Sequence, residues 1–174
     1  SGFGEVELKG KEIVAAGKGD LSIGLAGEST TLAIKAGQVT TATAADVGFR
    51  SRGALTVTQA GSAGSAPEGL GGRLRLAGTS VTQAGTINLP AGTVELQATS
   101  GDVVLAAGSV TRAGGVEKNF GGTSAFADAG RIVLTADGGN VVIAKASGQD
   151  AASLIDVAAQ SGGGSGGEVE INAV

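Results

Sequence analysis

Sixteen carboxylates and twelve Lys or Arg side chains are the only ionisable side chains in this 174-residue chain, which has no His, Cys or Tyr. Neither a Ser/His/Asp triad nor a Cys/His pair can therefore be assembled, and imidazole and thiolate metal ligands are missing. Acid/base chemistry would fall to paired carboxylates. Glu5/Glu7 and Glu168/Glu170 are each spaced i, i+2, which on a strand places both on one face roughly 7 Å apart, a spacing a glycosidase could use. Their segments read as flat, wet strand faces, where nothing raises a carboxyl pKa. The bend residues Asp20, Asp46, Asp102, Asp137, Asp150 and Asp156 lack the calcium nonapeptide and the EF-hand loop. Asp102 and Asn140 share one repeat position, and each is expected to cap its own turn. Gly162-Gly-Gly164-Ser-Gly-Gly167 matches the letters of a dinucleotide loop, but it precedes a strand instead of following one. No cofactor or metal is expected, and the chain does not read as an enzyme.

One stretch remains as a candidate for recognition. Residues 114–130 lack alternation and carry Glu117, Lys118, Asn119, Phe120 and Phe126, with two of the chain's four Phe. They read as a loop projecting from one corner, since loops are where a repetitive scaffold varies to carry contacts. The plain reading has both rings folded over a flank of the scaffold. The sharper reading is contact with a glycan or another partner.

The scaffold shows in the repeats. Gly92-Thr-Val-Glu-Leu-Gln-Ala-Thr-Ser-Gly-Asp-Val-Val-Leu-Ala106 aligns without a gap on Gly130-Arg-Ile-Val-Leu-Thr-Ala-Asp-Gly-Gly-Asn-Val-Val-Ile-Ala144. Gly167-Glu-Val-Glu-Ile-Asn-Ala173 opens the same way. Seven bursts of strict alternation, starting at Glu5, Thr31, Ala54, Arg73, Thr93, Arg131 and Glu168, predict strands flanked by turn glycines. Almost no helix is expected. The interval from Arg73 to Gly92 holds three strand-sized pieces and three bends. That makes one coil of about 20 residues in a triangular parallel solenoid, and crossover chirality predicts a right-handed one. Leu55, Leu74 and Val94 are expected to share one interior file, and Val57, Leu76 and Leu96 the next. Arg75 is expected to pair with Glu95 across the coils. Residues 159–167 form a second, flexible loop.

The rhythm Gly-x-Val-x-Leu-x-Ala, Gly-Gly-Asn-Val-Val-Ile-Ala, Ser-Leu-Ile-Asp-Val-Ala resembles filamentous-haemagglutinin-type exoproteins, large bacterial adhesins exported by two-partner secretion. Residues 130–173 carry the likeness most clearly, residues 54–112 more loosely, and the first 50 only in rhythm. The resemblance implies a right-handed parallel β-helix, an outer-membrane secretion partner and a role in adhesion or biofilm cohesion. The Asn-Pro-Asn motifs of that family's secretion domain are absent, so this would be shaft.

Composition fits that picture. Glycine is abundant (33 residues), yet mean hydropathy is +0.24 and only 16% of residues are charged, which leaves apolar surface to bury. Net charge of −4 and 2% aromatics argue against nucleic-acid binding. With no Met, the chain reads as one solenoid segment, 1–174, of something longer. The expectation is thus a structural shaft of a secreted or cell-surface, outer-membrane-associated adhesin or matrix exoprotein. It would touch surface glycans or matrix polysaccharide and associate head-to-tail where uncapped ends meet. The alternatives are a polysaccharide-processing β-helix enzyme and a self-assembling extracellular fibre subunit.

Overall fold

A computed structural model describes residues 3–174 as all-β, with no helix among them. The chain opens with β1 (Glu5–Ala15), β2 (Lys18–Ile23), β3 (Thr31–Thr41) and β4 (Asp46–Ser51). It continues through β5 (Leu55–Gln59), β6 (Arg73–Gly78), β7 (Val81–Ala84), β8 (Thr86–Asn88) and β9 (Thr93–Ala98). Next come β10 (Val103–Leu105), β11 (Val110–Arg112), β12 (Val116–Phe120), β13 (Thr123–Ala127) and β14 (Arg131–Ala136). The last three are β15 (Val141–Ile143), β16 (Leu154–Asp156) and β17 (Glu168–Ala173).

Every strand pairing is parallel except the one between β12 and β13. One sheet runs β2-β4-β6-β9-β14-β17, in chain order. In the other, β1-β3-β5-β7-β10-β15 also succeed one another in chain order. The long strand β3 serves two flanks, because its first half pairs with β5 while Val39 bridges to Ile87 of β8. From there β8, β11 and β16 continue. The result is a curled, solenoid-like stack in which each strand lies on its counterpart from the previous return of the chain.

Alternation puts one side of every strand inward. Val6, Leu32, Leu55, Val81, Val103 and Val141 are register partners in one file. Val47, Leu74, Val94, Ile132 and Val169 make another, in the opposite sheet. The expected grouping of Leu55 with Leu74 and Val94 is therefore corrected, and with it that of Val57 with Leu76 and Leu96. All six are at most 1% exposed, but β5 belongs to a different flank from β6 and β9. The interval between Ala54 and Arg73 crosses from one sheet to the other, so it is not a repeat length. Burial fades at the edges of the stack: Leu21 and Ile171 are each 50% exposed.

Glycine explains the repeat motif. Gly72, Gly92, Gly130 and Gly167 immediately precede β6, β9, β14 and β17. A Cβ on any of the last three would collide with the carbonyl oxygen of the glycine before it in the file. That close approach allows Thr93, Arg131 and Glu168 to donate N–H bonds to Gly72, Gly92 and Gly130. Two residues before β4, β6 and β9 the backbone turns left-handed, at Ala44 (φ 54°), Gly71 (φ 65°) and Ala91 (φ 52°). Their amides bond to Leu70, Pro90 and Gly114. An L-residue in that region costs about 1–2 kcal/mol.

Ala44 is exposed, so its methyl contributes little packing. Ala44→Gly is expected to raise stability by roughly 0.5–1 kcal/mol, the strain relieved less the extra freedom given to the unfolded chain. A urea titration with unchanged slope and a higher midpoint would register it; a lower midpoint would remove strain from this corner.

Candidate functional site

The stretch read as an unpatterned loop is a β-hairpin, which corrects that expectation. Val116 faces Ala127 and Phe120 faces Thr123 across an antiparallel ladder. The turn residues Gly121 and Gly122 both have positive φ (59° and 92°), the geometry of a two-residue hairpin turn. Asn119 holds that turn by accepting the Gly122 N–H at 3.0 Å through its side-chain oxygen. The excursion leaves at Ala113 and returns at Gly130, whose N–H donates to the Ala113 carbonyl. Alternation failed to announce these strands because both faces of the hairpin are wet, so neither needs an apolar row.

The five predicted residues divide four ways. Phe126 lies against the glycine segment read as a slack second loop. A Cβ on Gly162 would come within 2.7 Å of its ring, and one on Gly163 within 2.9 Å. The absence of side chains there makes room for the ring. Phe120, by contrast, is 69% exposed at the tip, so only one of the two rings folds down. Asn119 holds the turn. Glu117 and Lys118 line a groove of about 440 Å³ at the hairpin base.

That groove also contains side chains the sequence reading left unconnected. Asn88, Arg112 and Asp156 are register partners on β8, β11 and β16, and all three line it. Arg112 Nε lies 3.4 Å from Asp156 Oδ2. Gln160 closes one end, donating through Nε2 to the Gly115 carbonyl at 2.6 Å. Glu117 accepts from the Ser124 hydroxyl. A row of amide, guanidinium and carboxylate groups along a shallow groove suits the hydroxyls of a polar polymer. Arg112 and Asp156 were not foreseen, because their 44-residue separation matches no repeat interval.

Three of the four carboxylates in the two pairs, Glu7, Glu168 and Glu170, are tied to cations. Lys35 Nζ sits 2.6 Å from Glu7, and this hydrogen bond holds the Glu7 carboxyl below its ordinary value. Arg131 pairs with both Glu168 and Glu170, and Glu170 is held down first by the Asn172 amide and then by Arg131. A general acid needs the opposite shift. Arg75 is in register with Glu95, as expected, but its guanidinium turns to Asp20 and Asp46, while Arg73 takes Glu95 at 2.7 Å. That ion pair is corrected accordingly. Asp102 likewise accepts the Asn140 N–H at 2.8 Å, so it caps the next return of the chain and not its own turn. Among the described residues no group of three or more His, Cys, Asp or Glu is placed to hold a metal.

Comparison with protein-family models, with curated proteins and with solved structures finds no match to the chain.

Two outcomes follow. Phe126→Ala should cost roughly 1–2 kcal/mol because a half-buried ring is lost, while Phe120→Ala should stay within about 0.5 kcal/mol of the parent. Equal effects in thermal unfolding would contradict the contact with Gly162 and Gly163. Glu7, Asp20 and Glu170 all have depressed folded-state pKa values, so the stability they contribute is present at neutral pH. It should begin to fall as pH drops below the ordinary values of 4.5 and 3.8 and vanish below the folded-state values. A melting temperature that rises on acidification through that window would contradict these pairs.

Proposed function

We propose that the chain is a right-handed parallel β-helix of triangular cross-section, with three strands and about 20 residues in its basic coil, forming shaft in a secreted bacterial adhesin or biofilm-matrix exoprotein. The observation that carries this reading is the sheet β2-β4-β6-β9-β14-β17, parallel and in chain order throughout. Such a stack resists bending and grows in one dimension, which is what a spacer requires. Right-handedness follows from the general chirality of parallel crossovers. The filamentous-haemagglutinin-like motifs add an outer-membrane secretion partner for the parent protein and a surface or extracellular location.

In this reading the hairpin and its groove make weak contacts to surface glycans or matrix polysaccharide, and many such units act together. A polysaccharide-processing enzyme is less well supported, since the groove carboxylates Glu117 and Asp156 are engaged by Ser124 and Arg112. Self-assembly into a fibre has its own support. Val169 and Ile171 on β17, like Leu21 on β2, are inward-pointing but 40–50% exposed, so a second copy stacked head-to-tail would cover them, as would a further return of a longer chain.

The test couples the protein to beads and measures their retention on bacterial surfaces and on immobilised matrix polysaccharide. Lys118→Ala with Phe120→Ala should lose retention while the melting temperature holds. Unchanged retention would remove the hairpin from the account, and release of new reducing ends from the polysaccharide would replace adhesion by catalysis.

A further inference from the structure

A second groove, on the other side of Ala66 and Pro67 from the first, contains a buried hydroxyl with nothing to bond to. The segment following β5 forms no strand where other returns of the chain place β8, β11 and β16. Residues 61–69 instead lie along the second half of β3, leaving Gln38 and Thr40 each 2% exposed. Gln38 fastens this strap, its Nε2 donating to Glu12 Oε1 at 2.8 Å and to the Ser65 carbonyl at 3.2 Å. Between strap and sheet lies a groove of about 600 Å³, within the range of small-molecule sites. Thr40 lines it, and Thr40 Oγ1 is the one buried side-chain polar atom without a hydrogen-bond partner among the described residues.

An unsatisfied buried hydroxyl lowers stability, and valine would fill the same space without that cost. Its surroundings identify what could satisfy it. Glu12 and Glu68 bring two carboxylates, Ser65 a hydroxyl, and Val14 and Pro67 apolar surface, with no Lys or Arg in the lining. Glu12 is already oriented through Oε1, which leaves Oε2 for a ligand. Val14 is 51% exposed despite its apolar side chain. Hydroxyl partners, a flat C–H face to cover valine and proline, and a positive charge to meet two carboxylates describe one chemical class. We propose that this groove binds an amino sugar, a pyranose bearing a free ammonium group, with one ring hydroxyl bonded to Thr40 after a single χ1 step. The ammonium lies between Glu12 and Glu68. This site is separate from the hairpin groove and does not depend on it.

Amide chemical shifts of the full chain are followed on adding glucosamine, a chito-oligosaccharide with free amines, N-acetylglucosamine or calcium chloride. Saturable shifts at Thr40, Ser65 and Glu68 with the two amines are expected. The acetylated sugar should bind about tenfold more weakly, as expected for a lost charge-assisted contact. Tighter binding of the oligomer than of glucosamine would identify polymer as the source, and equal binding the free sugar. Thr40→Val should raise the melting temperature while weakening glucosamine, and Glu68→Gln should weaken it with the melting temperature unchanged. Absence of amine binding, equal binding of the acetylated form, calcium shifting the same amides in preference, or full affinity in Thr40→Val would each overturn the proposal. Hairpin substitutions leave this assay untouched, so its outcome is independent of the adhesion test.

Discussion

The parallel backbone ladder between successive returns of the chain is the constraint on which everything else rests. Each return must come back at strand spacing and in the same register, or its apolar side chains leave the interior. The glycine file Gly72, Gly92, Gly130 and Gly167 shows how closely the backbones must approach at one corner, where no side chain fits. Once that corner is fixed, the following alternation sends Leu74, Val94 and Ile132 inward, all 0% exposed. The same alternation sends Arg73, Thr93 and Arg131 outward. Charge pairs such as Arg73–Glu95 are then consequences of register on an exposed face, worth at most about 1 kcal/mol each. They discriminate against slipped pairings more than they hold the stack together.

A core made only of aliphatic files would tolerate sliding, and two polar features oppose it. Gln83 occupies the file of Ile34, Val57 and Leu105, fully buried, yet its amide is satisfied by Gly85, Val110 and Thr111. Moving β7 by two residues would leave that amide buried and unpaired, a penalty of about 1–3 kcal/mol. Asp102, bonded across to Asn140, acts similarly at a bend. The unpartnered hydroxyl of Thr40 stands out against this background. Among the described residues every other buried side-chain polar atom finds a partner; under the strap this one does not.

Much of the scaffold was legible in the sequence, because alternation and turn glycines are local signals. All seven alternating bursts coincide with strands, the third lacking only its first residue, Ala54. The assignment of those strands to flanks was not legible. Strands β2 and β4 read Lys-Gly-Asp-Leu and Asp-Val-Gly-Phe; Gly19 stands at an inward position of β2, and β4 offers only the short pair Val47 and Phe49 around Gly48. Without them the first three bursts and the last four looked like one series, although they belong to two sheets. The candidate site was half visible. Glu117, Lys118 and Phe126 could be picked out as an unusual insertion, but their neighbours Arg112, Asp156 and Gln160 depend on the lengths of two other insertions. Those lengths, of the segment between β15 and β16 and of the glycine segment that packs on Phe126, follow no repeat.

Register can be measured directly in a chain that has no cysteine of its own. Cysteine pairs placed at Thr93 with Arg131 and at Gln97 with Thr135 are register partners in parallel strands. Neighbouring strands at about 4.8 Å lie within disulfide reach, so both pairs should cross-link on oxidation. The exchanged pairs, Thr93 with Thr135 and Gln97 with Arg131, should stay reduced. Cross-linking of the exchanged pairs in place of the in-register ones would mean antiparallel strands and would contradict the stacked architecture.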